Sequence, residues 1–596
     1  MTARIAGNDY RSLTPPALGS WTPSLRVSVV VPAYGDQEKL DLALAGLASQ
    51  TYPAALTEVV VVDNGSSPPL RLPALRPADT RLIVCPVPGR AHARNAGLAA
   101  ATGDVIHWLD SDVVLDRRSV EAHMRWHHAA PYLVVTGYLR FTPAGLPAPE
   151  VVAAADDLAK LFEPAEPHAW LVDLVERTDG LTANPHRAFS LHVGGATSVN
   201  AALLAVAGPM DTDLILGQDT EMGYRLAQAG AVFVPEPLSR AFHLGPTMRM
   251  RDKAPIDRVS HAFVADRIPS YRWLRSHPAR QWKVPYVEVV VEPAGRPGKG
   301  YTYDEVRATV DAVLAGTLPD VAVTLTGSWD RVGAEGRAPL KNPDLDLVLI
   351  RGHYAHEPRV RFAQEVSAAP AAPALPPDRP GGSTAPASPA WAVPYRLRLP
   401  AGWVPGEDTL ARLLDLAREE GYGLVSVLLA EEDDDAAGGD GGAGGPAGTG
   451  TAGTETAGTG RAVVRARLER AAAFARAAIV LEEGEDLDDA VDDTFGVIWV
   501  DGETYGFAPE AGVLTGRRGA YRARAEAAAE VARLTKEAER LREQVAKWRD
   551  EAGRWRRSTV ELRREVGTLR KELAAARKVV QYGLLSSVKR VITRRR

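Results

Sequence analysis

Between residue 27 and about residue 234 the chain alternates short, β-branched apolar runs with stretches of helical period, and this alternation narrows the fold more than any other feature. The runs at 27–31, 59–62, 81–85 and 105–109 have the length and composition of strands. Those at 37–49 and 91–101 space their apolar residues as helices do. Strands alternating with helices predict a mostly parallel sheet covered on both faces, with ligands bound beyond the carboxyl ends of its strands.

Size and charge bound the rest. At 596 residues the chain is too long for one core, and ~150 residues per domain suggests about four units, not all of them globular. An apolar content of 45% supports real cores, and a net charge of −5 gives no reason to expect nucleic acid as a partner. The single cysteine, Cys85, excludes an intramolecular disulfide framework and reads as a buried strand residue. Residues 1–24 hold no hydrophobic signal core, and no run approaches the ~18 apolar residues of a membrane span. The expected location is the cytoplasm, either free or peripheral at the inner face of the membrane.

Residues 1–24 read as a flexible arm, 25–250 as the first α/β domain, and 251–284 as a connector that is helical in parts. A second α/β region covers 285–367 and continues at 391–435 and 461–515. It is interrupted by a Pro/Ala-rich linker at 368–390 and a Gly-rich linker at 436–460, neither of which buries enough apolar surface to offset the entropy of ordering. The acidic stretch 482–493 reads as a solvated loop.

The second region echoes the first. Val287-Glu288-Val289-Val290-Val291 parallels Val27-Ser28-Val29-Val30-Val31, and 310–319 parallels 44–53. Leu325-Thr326-Gly327-Ser328 parallels Asp63-Asn64-Gly65-Ser66, which puts Leu325 in the place of Asp63. A further strand-like run at 347–350 ends in Arg351-Gly352 and not in carboxylates, so the region reads as a worn copy. Beyond it, apolar or small residues recur at alternating spacings of four and three, from Leu534 through Trp548, Trp555 and Leu569 to Val580. That period predicts a coiled coil over 519–580, about 80 Å long at ~1.5 Å per residue, that self-associates or acts as a spacer. The basic tail at 581–596 either rests on anionic lipid or is a solvated, frayed end.

The run at 105–109 ends in Asp110-Ser111-Asp112. Two carboxylates at a sheet edge repel each other and lose hydration, and a divalent cation with oxygen ligands, Mg²⁺ or Mn²⁺, relieves both costs. The plainer alternative is a helix cap followed by a solvated turn.

Taken together, Val27 to Tyr34, Val59 to Ser66, Gly89-Arg90-Ala91-His92-Ala93-Arg94-Asn95-Ala96-Gly97 and Asp110-Ser111-Asp112 resemble, in order and spacing, the family-two inverting glycosyltransferases of the GT-A fold. The resemblance covers about residues 27–245. It implies a metal-dependent transferase that moves a sugar from a nucleotide-diphosphate donor to a hydroxyl of a glycan or glycolipid, in cell-surface polysaccharide synthesis. By this resemblance the nucleotide base rests on Pro32, Ala33 and Tyr34, and Asp63 accepts hydrogen bonds from base or ribose. Arg90 and Arg94 lie near the phosphates, as guanidinium groups at a helix start would. Asp110 and Ser111 face ribose or sugar, Asp112 is the direct metal ligand, and His243 is a further ligand. Gly217-Gln218-Asp219-Thr220-Glu221 resembles the family's acceptor-side motif with Gln218 in place of the usual Glu. Asp219 is therefore the first candidate for the base that deprotonates the acceptor, and Glu221 the second.

Two other readings stay open. One is a catalytically silent scaffold acting through the coiled coil, which Gln218 favours. The other is a nucleotidyltransferase, which calls for a glycine-rich phosphate loop after the first strand where the chain has Pro32-Ala33-Tyr34-Gly35-Asp36.

Overall fold

The computed structural model describes residues 2–143, 145–183, 185–275, 280–293, 300, 302–332, 339–366, 392–431, 455–456 and 462–510. The sequence-predicted coiled coil, basic tail and Pro/Ala linker lie outside them, as does the Gly-rich linker apart from 455–456. No helix among the described residues is long and apolar enough to cross a membrane.

The first sheet contains β1 (Val27–Ala33), β2 (Thr57–Asp63), β3 (Thr80–Val84), β4 (Val105–Leu109), β5 (Val113–Leu115), β6 (Leu133–Thr142), β7 (Glu166–Pro167), β8 (Ala196–Asn200) and β9 (Val232–Leu244). Its spatial order is β3-β2-β1-β4-β8-β6-β9-β5, with β7 beside β6. Around it lie α1 (Gln37–Ala48), α2 (Arg90–Ala100), α3 (Ser119–His127), α4 (Pro149–Ala154), α5 (Ala159–Phe162), α6 (Ala169–Arg177), α7 (Ala201–Ala207) and α8 (Gln218–Gln228). Two more helices follow, α9 (Met248–Arg251) and α10 (Lys253–Arg267).

Val29 and Val31 of β1 pack with Leu40 and Leu44 of α1, while Val30 packs on the opposite face with Ala93 of α2. Burial on both faces explains why β1 is a continuous apolar run and not an alternating one, and each such side chain stabilises the fold by about 1.5–3 kcal/mol. A Cβ on Gly97 would lie 2.3 Å from Val30 Cγ1, so the close approach of α2 to the sheet depends on that residue having no side chain. Because α1 and α2 pack this tightly, the carboxyl ends of β1, β2 and β4 are held at one edge. β4 runs parallel to β1, with Val30 beside Trp108, and antiparallel to β8, with Leu109 beside Ala196.

Residues 2–24, expected as a flexible arm, pack against the fold instead. Ile5 is fully buried, and the Asn8 side chain bonds both the amide and the carbonyl of Phe233 in β9, at 2.8 and 2.9 Å.

The second sheet contains β10 (Val287–Glu292), β11 (Val321–Thr326), β12 (Val360–Ala363), β13 (Tyr395–Pro400), β15 (Leu424–Glu431), β16 (Glu455–Thr456), β17 (Ala462–Arg470) and β18 (Val497–Asp501), while β14 (Trp403–Pro405) and β19 (Phe507–Pro509) form a separate two-stranded sheet. Its main path runs β12-β11-β10-β13-β17-β15-β18, and β14 pairs with β19. With it come α11 (Tyr303–Ala315), α12 (Leu345–Tyr354), α13 (Thr409–Glu419), α14 (Ala471–Val480) and α15 (Leu487–Phe495).

This path repeats that of the first sheet. Val27 pairs with Thr57 and Val105 as Val287 pairs with Val321 and Tyr395, and β4 pairs antiparallel with β8 as β13 does with β17. The amide of Thr51 bonds the carbonyl of Arg117 at 2.8 Å, and that of Thr317 bonds the carbonyl of Glu407 at 2.9 Å.

Three expectations are corrected by this register. The run at 347–350 belongs to α12, where Ile350 and Tyr354 are buried one turn apart, so its apolar spacing follows a helical period. The strand beside β10 is β13, which puts Pro400 and Gly402, and not Arg351, opposite Asp110 and Asp112. Gly327, and not Leu325, stands at the place of Asp63, because Val291 pairs with Leu325 as Val31 pairs with Val61. The acidic stretch 482–493 is likewise partly helical: Asp486 caps α15, while Glu485 and Asp493 bind Arg4.

The two sheets pack into one compact unit, Met1–Val513. At their junction the buried Arg476 of α14 donates to the carbonyls of Gly230 and Ala231 just beyond α8, at 2.9 and 2.8 Å.

Candidate active site

Arg94 lies on the second turn of α2, its side chain only 6% exposed, and it joins two acids that are far apart in sequence. Its Nη2 donates to Asp110 Oδ1 at 2.9 Å and its Nη1 to Asp219 Oδ1 at 2.8 Å. β4 delivers Asp110 at its carboxyl end, and α8 delivers Asp219 in its first turn, after Gly217 reverses the chain with φ of 92°. Burial works against the Arg94 charge, but the carboxylates of Asp219 and Asp110 outweigh it and push the guanidinium pKa up. The Gly194-Gly195 pair makes room for this convergence. A Cβ on Gly194 would lie 2.1 Å from Arg94 Nη2, and one on Gly195 would lie 2.9 Å from Asp110 Oδ2.

Asp112 and His243 meet beside this cluster because β5 pairs antiparallel with β9, placing Val113 opposite His243. The amide of Leu244 also donates to the Asp112 carbonyl at 2.8 Å. His243 Nδ1 lies 2.9 Å from the Gly245 carbonyl, which only accepts, so Nδ1 carries a proton. In the neutral ring Nε2 then turns a lone pair toward Asp112 Oδ1 at 3.6 Å. Two acceptors facing each other at that distance are held favourably by a shared cation. Burial pushes the Asp112 carboxyl pKa up, with His243 and Lys39 opposing and the neighbouring Asp110 charge adding to it. A carboxylate oxygen and an imidazole nitrogen suit Mn²⁺ well and Mg²⁺ less well. No group of three or more His, Cys, Asp or Glu set to hold a metal occurs among the described residues, and a cation held by one or two protein ligands completes its shell with water or substrate oxygens.

The nucleotide side of the site is more open. Pro32 and Ala33 end β1, and Tyr34 just beyond is 69% exposed. Asp63 ends β2, where its Oδ1 accepts from the Ser66 amide at 2.8 Å and its Oδ2 from the Leu70 amide at 3.0 Å. Burial alone would raise its pKa, but these donors outweigh burial and lower it, so the carboxylate is pre-set as an anion. Arg90 is the exposed first residue of α2, and Ser111 sits in the turn that the Val113 amide closes onto the Asp110 carbonyl at 3.1 Å.

Two expected roles shift in this geometry. Arg94, expected at the phosphates, spends both terminal nitrogens on Asp110 and Asp219. Glu221 stays apart from the cluster, in a buried two-pronged pair with Arg225 at 2.7 and 2.8 Å. Gln218 also turns inward, donating to the carbonyls of Leu214 and Ile215 at 2.6 and 3.0 Å, so it shapes the loop before α8. The sequence reading missed His192, whose buried ring bonds the Asp219 carbonyl at 2.8 Å. Its position two residues before Gly194-Gly195 is the only local signal for it.

Residues 28–168 match the family described as Glycosyl transferase family 2. Chondroitin synthase of Escherichia coli is 24% identical over 371 residues, 57% of this chain and 50% of that protein. The pre-mycofactocin glycosyltransferase of Mycobacterium tuberculosis is 28% identical over 225 residues, 37% of this chain and 43% of that one. The chain thus spans about half the length of the curated relatives it matches. Among solved structures, a mannosyltransferase from Pyrobaculum calidifontis in complex with GDP-Man and Mn²⁺ is 20% identical, with a TM-score of 0.28, over 41% of this chain and 65% of that one. The residues that match the family-2 glycosyltransferases fall within the α/β domain built on the first sheet.

Proposed function

We propose that the first sheet transfers a sugar from a nucleotide-diphosphate donor to a hydroxyl of a glycan or glycolipid acceptor, inverting the anomeric configuration. The observation that carries this reading is the convergence of Asp110 and Asp219 on Arg94, next to Asp112 and His243. Asp219 takes the proton of the acceptor hydroxyl as that oxygen attacks the anomeric carbon. The bond from that carbon to the diphosphate breaks in the same displacement, and the nucleoside diphosphate leaves with the electron pair. Arg94 fixes where Asp219 and Asp110 stand, so the base and the sugar-facing acid keep a constant separation. Asp112 and His243 would hold Mn²⁺ or Mg²⁺, which when bound neutralises charge on the leaving diphosphate. Tyr34, with Pro32 and Ala33, offers the nucleotide base an apolar face, Asp63 an acceptor, Arg90 a cation for the phosphates, and Ser111 a contact near the sugar.

The second sheet is a copy of the same fold without the reaction, since Pro400, Gly402, Gly327 and Pro509 stand at the places of Asp110, Asp112, Asp63 and His243. The coiled coil and basic tail would supply self-association and contact with an anionic membrane surface. The similarity to chondroitin synthase of Escherichia coli supports a role in polysaccharide synthesis.

The test is a screen of nucleotide-sugar turnover with Mn²⁺, comparing wild type with Asp112→Ala and Asp219→Asn. Turnover that both substitutions abolish supports the assignment. No turnover with any donor, and no metal-dependent nucleotide binding, would favour a silent scaffold.

A further inference from the structure

Helix α8 carries Asp219 in its first turn, and the half of the fold built on the second sheet grips it at its middle and just past its far end. Tyr224, fully buried in the middle of α8, donates its hydroxyl to the Ala392 carbonyl at 2.6 Å, shortly before β13. At the far end, Arg476 of α14 donates to the carbonyls of Gly230 and Ala231 at 2.9 and 2.8 Å. Gly230 has φ of 90°, and a Cβ on it would lie 2.7 Å from Arg476 N and 2.9 Å from Arg476 Cα, so the backbone of α14 lies directly against it. The two grips belong to one piece, because the amide of Ala471, which opens α14, bonds the Pro394 carbonyl at 3.0 Å. Arg476 also donates to the carbonyls of Ile5 and Gly7, which ties the N-terminal arm to the same point.

The first sheet holds α8 in a different way. Met222, Leu226 and Ala229 follow one another at spacings of four and three, on one face of the helix, and join the core of the first sheet. Apolar burial is non-directional, so it keeps the helix on the sheet without fixing its place along its own axis. Asp219 itself is held by two hydrogen bonds, from Arg94 to its carboxylate and from His192 to its carbonyl, both at 2.8 Å. With 11 residues α8 is about 16 Å long, a rod short enough to pass a shift at one end on to the other. The Arg476 guanidinium is a planar fork whose four hydrogen bonds all go to main-chain carbonyls, so it fixes direction as well as distance at that end.

We propose that the second sheet, which lacks the acids of the reaction, is the fixed support of the candidate base. Arg476 and Tyr224 are positioning residues: they set α8 along its axis and so keep the Asp219 carboxylate against Arg94 and toward the acceptor. A displacement of about 1 Å at a reacting group can cost about 100-fold in rate, which is why such a support matters. The proposal rests on the reading of Asp219 as the base, but the grip on α8 is measurable without turnover.

The experiment follows amide exchange in the full chain at Glu221, whose N–H bonds the Gly217 carbonyl at 3.0 Å, relative to exchange at Val60 in the middle of β2. Tyr224→Phe keeps the ring and removes only the hydroxyl, while Arg476→Lys keeps the charge and loses the fork. Each is expected to raise that ratio about tenfold. Arg398→Met, which instead frees Glu292 and Glu469 of the second sheet, should leave it within about twofold of wild type. With a donor that is turned over, Tyr224→Phe and Arg476→Lys should lower kcat about tenfold and leave the donor KM within about twofold, because Tyr34, Asp63 and Asp110 do not lie on α8. Thermal unfolding shows which variants are folded, and Tyr224→Phe carries the test if Arg476→Lys is not. An unchanged ratio in the folded variants, an equal rise in Arg398→Met, or an unchanged kcat overturns the proposal. Faster exchange at Glu221 in a chain that turns over no donor would keep the grip and sink the transferase reading, whereas turnover with unchanged exchange would do the reverse.

Discussion

Position for position, the two sheets differ most where their strands end and in the core beneath. Strands β4 and β5 and helix α3 begin at 105, 113 and 119, and strands β13 and β14 and helix α13 begin at 395, 403 and 409, the same spacing. The Leu244 amide bonds the Asp112 carbonyl at 2.8 Å, and the Glu510 amide bonds the Gly402 carbonyl at 2.7 Å. The backbone is therefore kept while Asp110, Asp112 and His243 give way to Pro400, Gly402 and Pro509. A strand end with no acid in it folds equally well, so the acids of the first sheet are not there to make the turn.

The core differs in the opposite sense. In the first sheet His107, Ser198, His123 and His127 cluster between β4, β8 and α3, with Ser198 Oγ 2.7 Å from His123 Nδ1 and 2.8 Å from His127 Nε2. Neither ring nitrogen of His107 finds a hydrogen-bond partner among the described residues. The matching residues of the second sheet are Leu397, Leu468, Leu413 and Ala417, a plain apolar core. One strand position over, the second sheet instead buries Arg398 and Arg467, which share Glu469, with Arg398 also on Glu292 and Arg467 on Asp488. Each sheet thus puts its buried polarity where the other is apolar or neutral.

Three measurements would break or sharpen this contrast. The largest effect is expected at the helix starts. Asp219→Asn should lower donor turnover by about 10²- to 10⁴-fold, whereas Asp488→Asn, at the second residue of α15, should leave steady-state turnover near wild type. Equal losses would mean that the second sheet takes part in the reaction.

Next in size is Arg398→Met, which leaves Glu292 and Glu469 without their shared cation and should cost about 3–5 kcal/mol in urea unfolding. A loss below about 1 kcal/mol would show that solvent reaches the pair.

At neutral pH the smallest effect is expected at the buried histidines of the first sheet. Burial holds His107 down to about 4 and His127 to about 3, and holds His123 well below its ordinary value of 6.5. The unfolded chain therefore takes up protons first as pH falls. Stability is full above pH 6.5 and declines toward pH 4, by up to about 1.4 kcal/mol per pH unit for each ring. His107→Leu, which installs the residue of the second sheet, should leave stability at pH 7.5 within about 1 kcal/mol and flatten that decline. An unchanged pH slope in melting experiments would show that His107 is not buried neutral.

Much of the first sheet was legible because its signals are local. Strands β1, β2, β3 and β4 and helices α1 and α2 fall within a few residues of the stretches read from apolar period and turn residues. In the second sheet the order of the strands, and not the existence of most of them, was harder to read. The inner strand β13 lies beyond the stretch 368–390, and without a pairing partner the short apolar run of α12 cannot be told from a strand.

The sequence by itself determined which residues were candidates for nucleotide, metal and acceptor, because Asp63, Asp110, Asp112 and Asp219 follow apolar runs or open a helix in a recognisable order. Only the tertiary structure decided how they meet. Arg94 reaches Asp110 across 16 residues of chain and Asp219 across 125, and no local pattern reports a contact that long. It also decided that Glu221 belongs to Arg225 and that His243 faces Asp112. Side-chain chemistry is written one residue at a time, whereas separation and orientation are set by strand register and helix packing, which exist only once the whole sheet has closed.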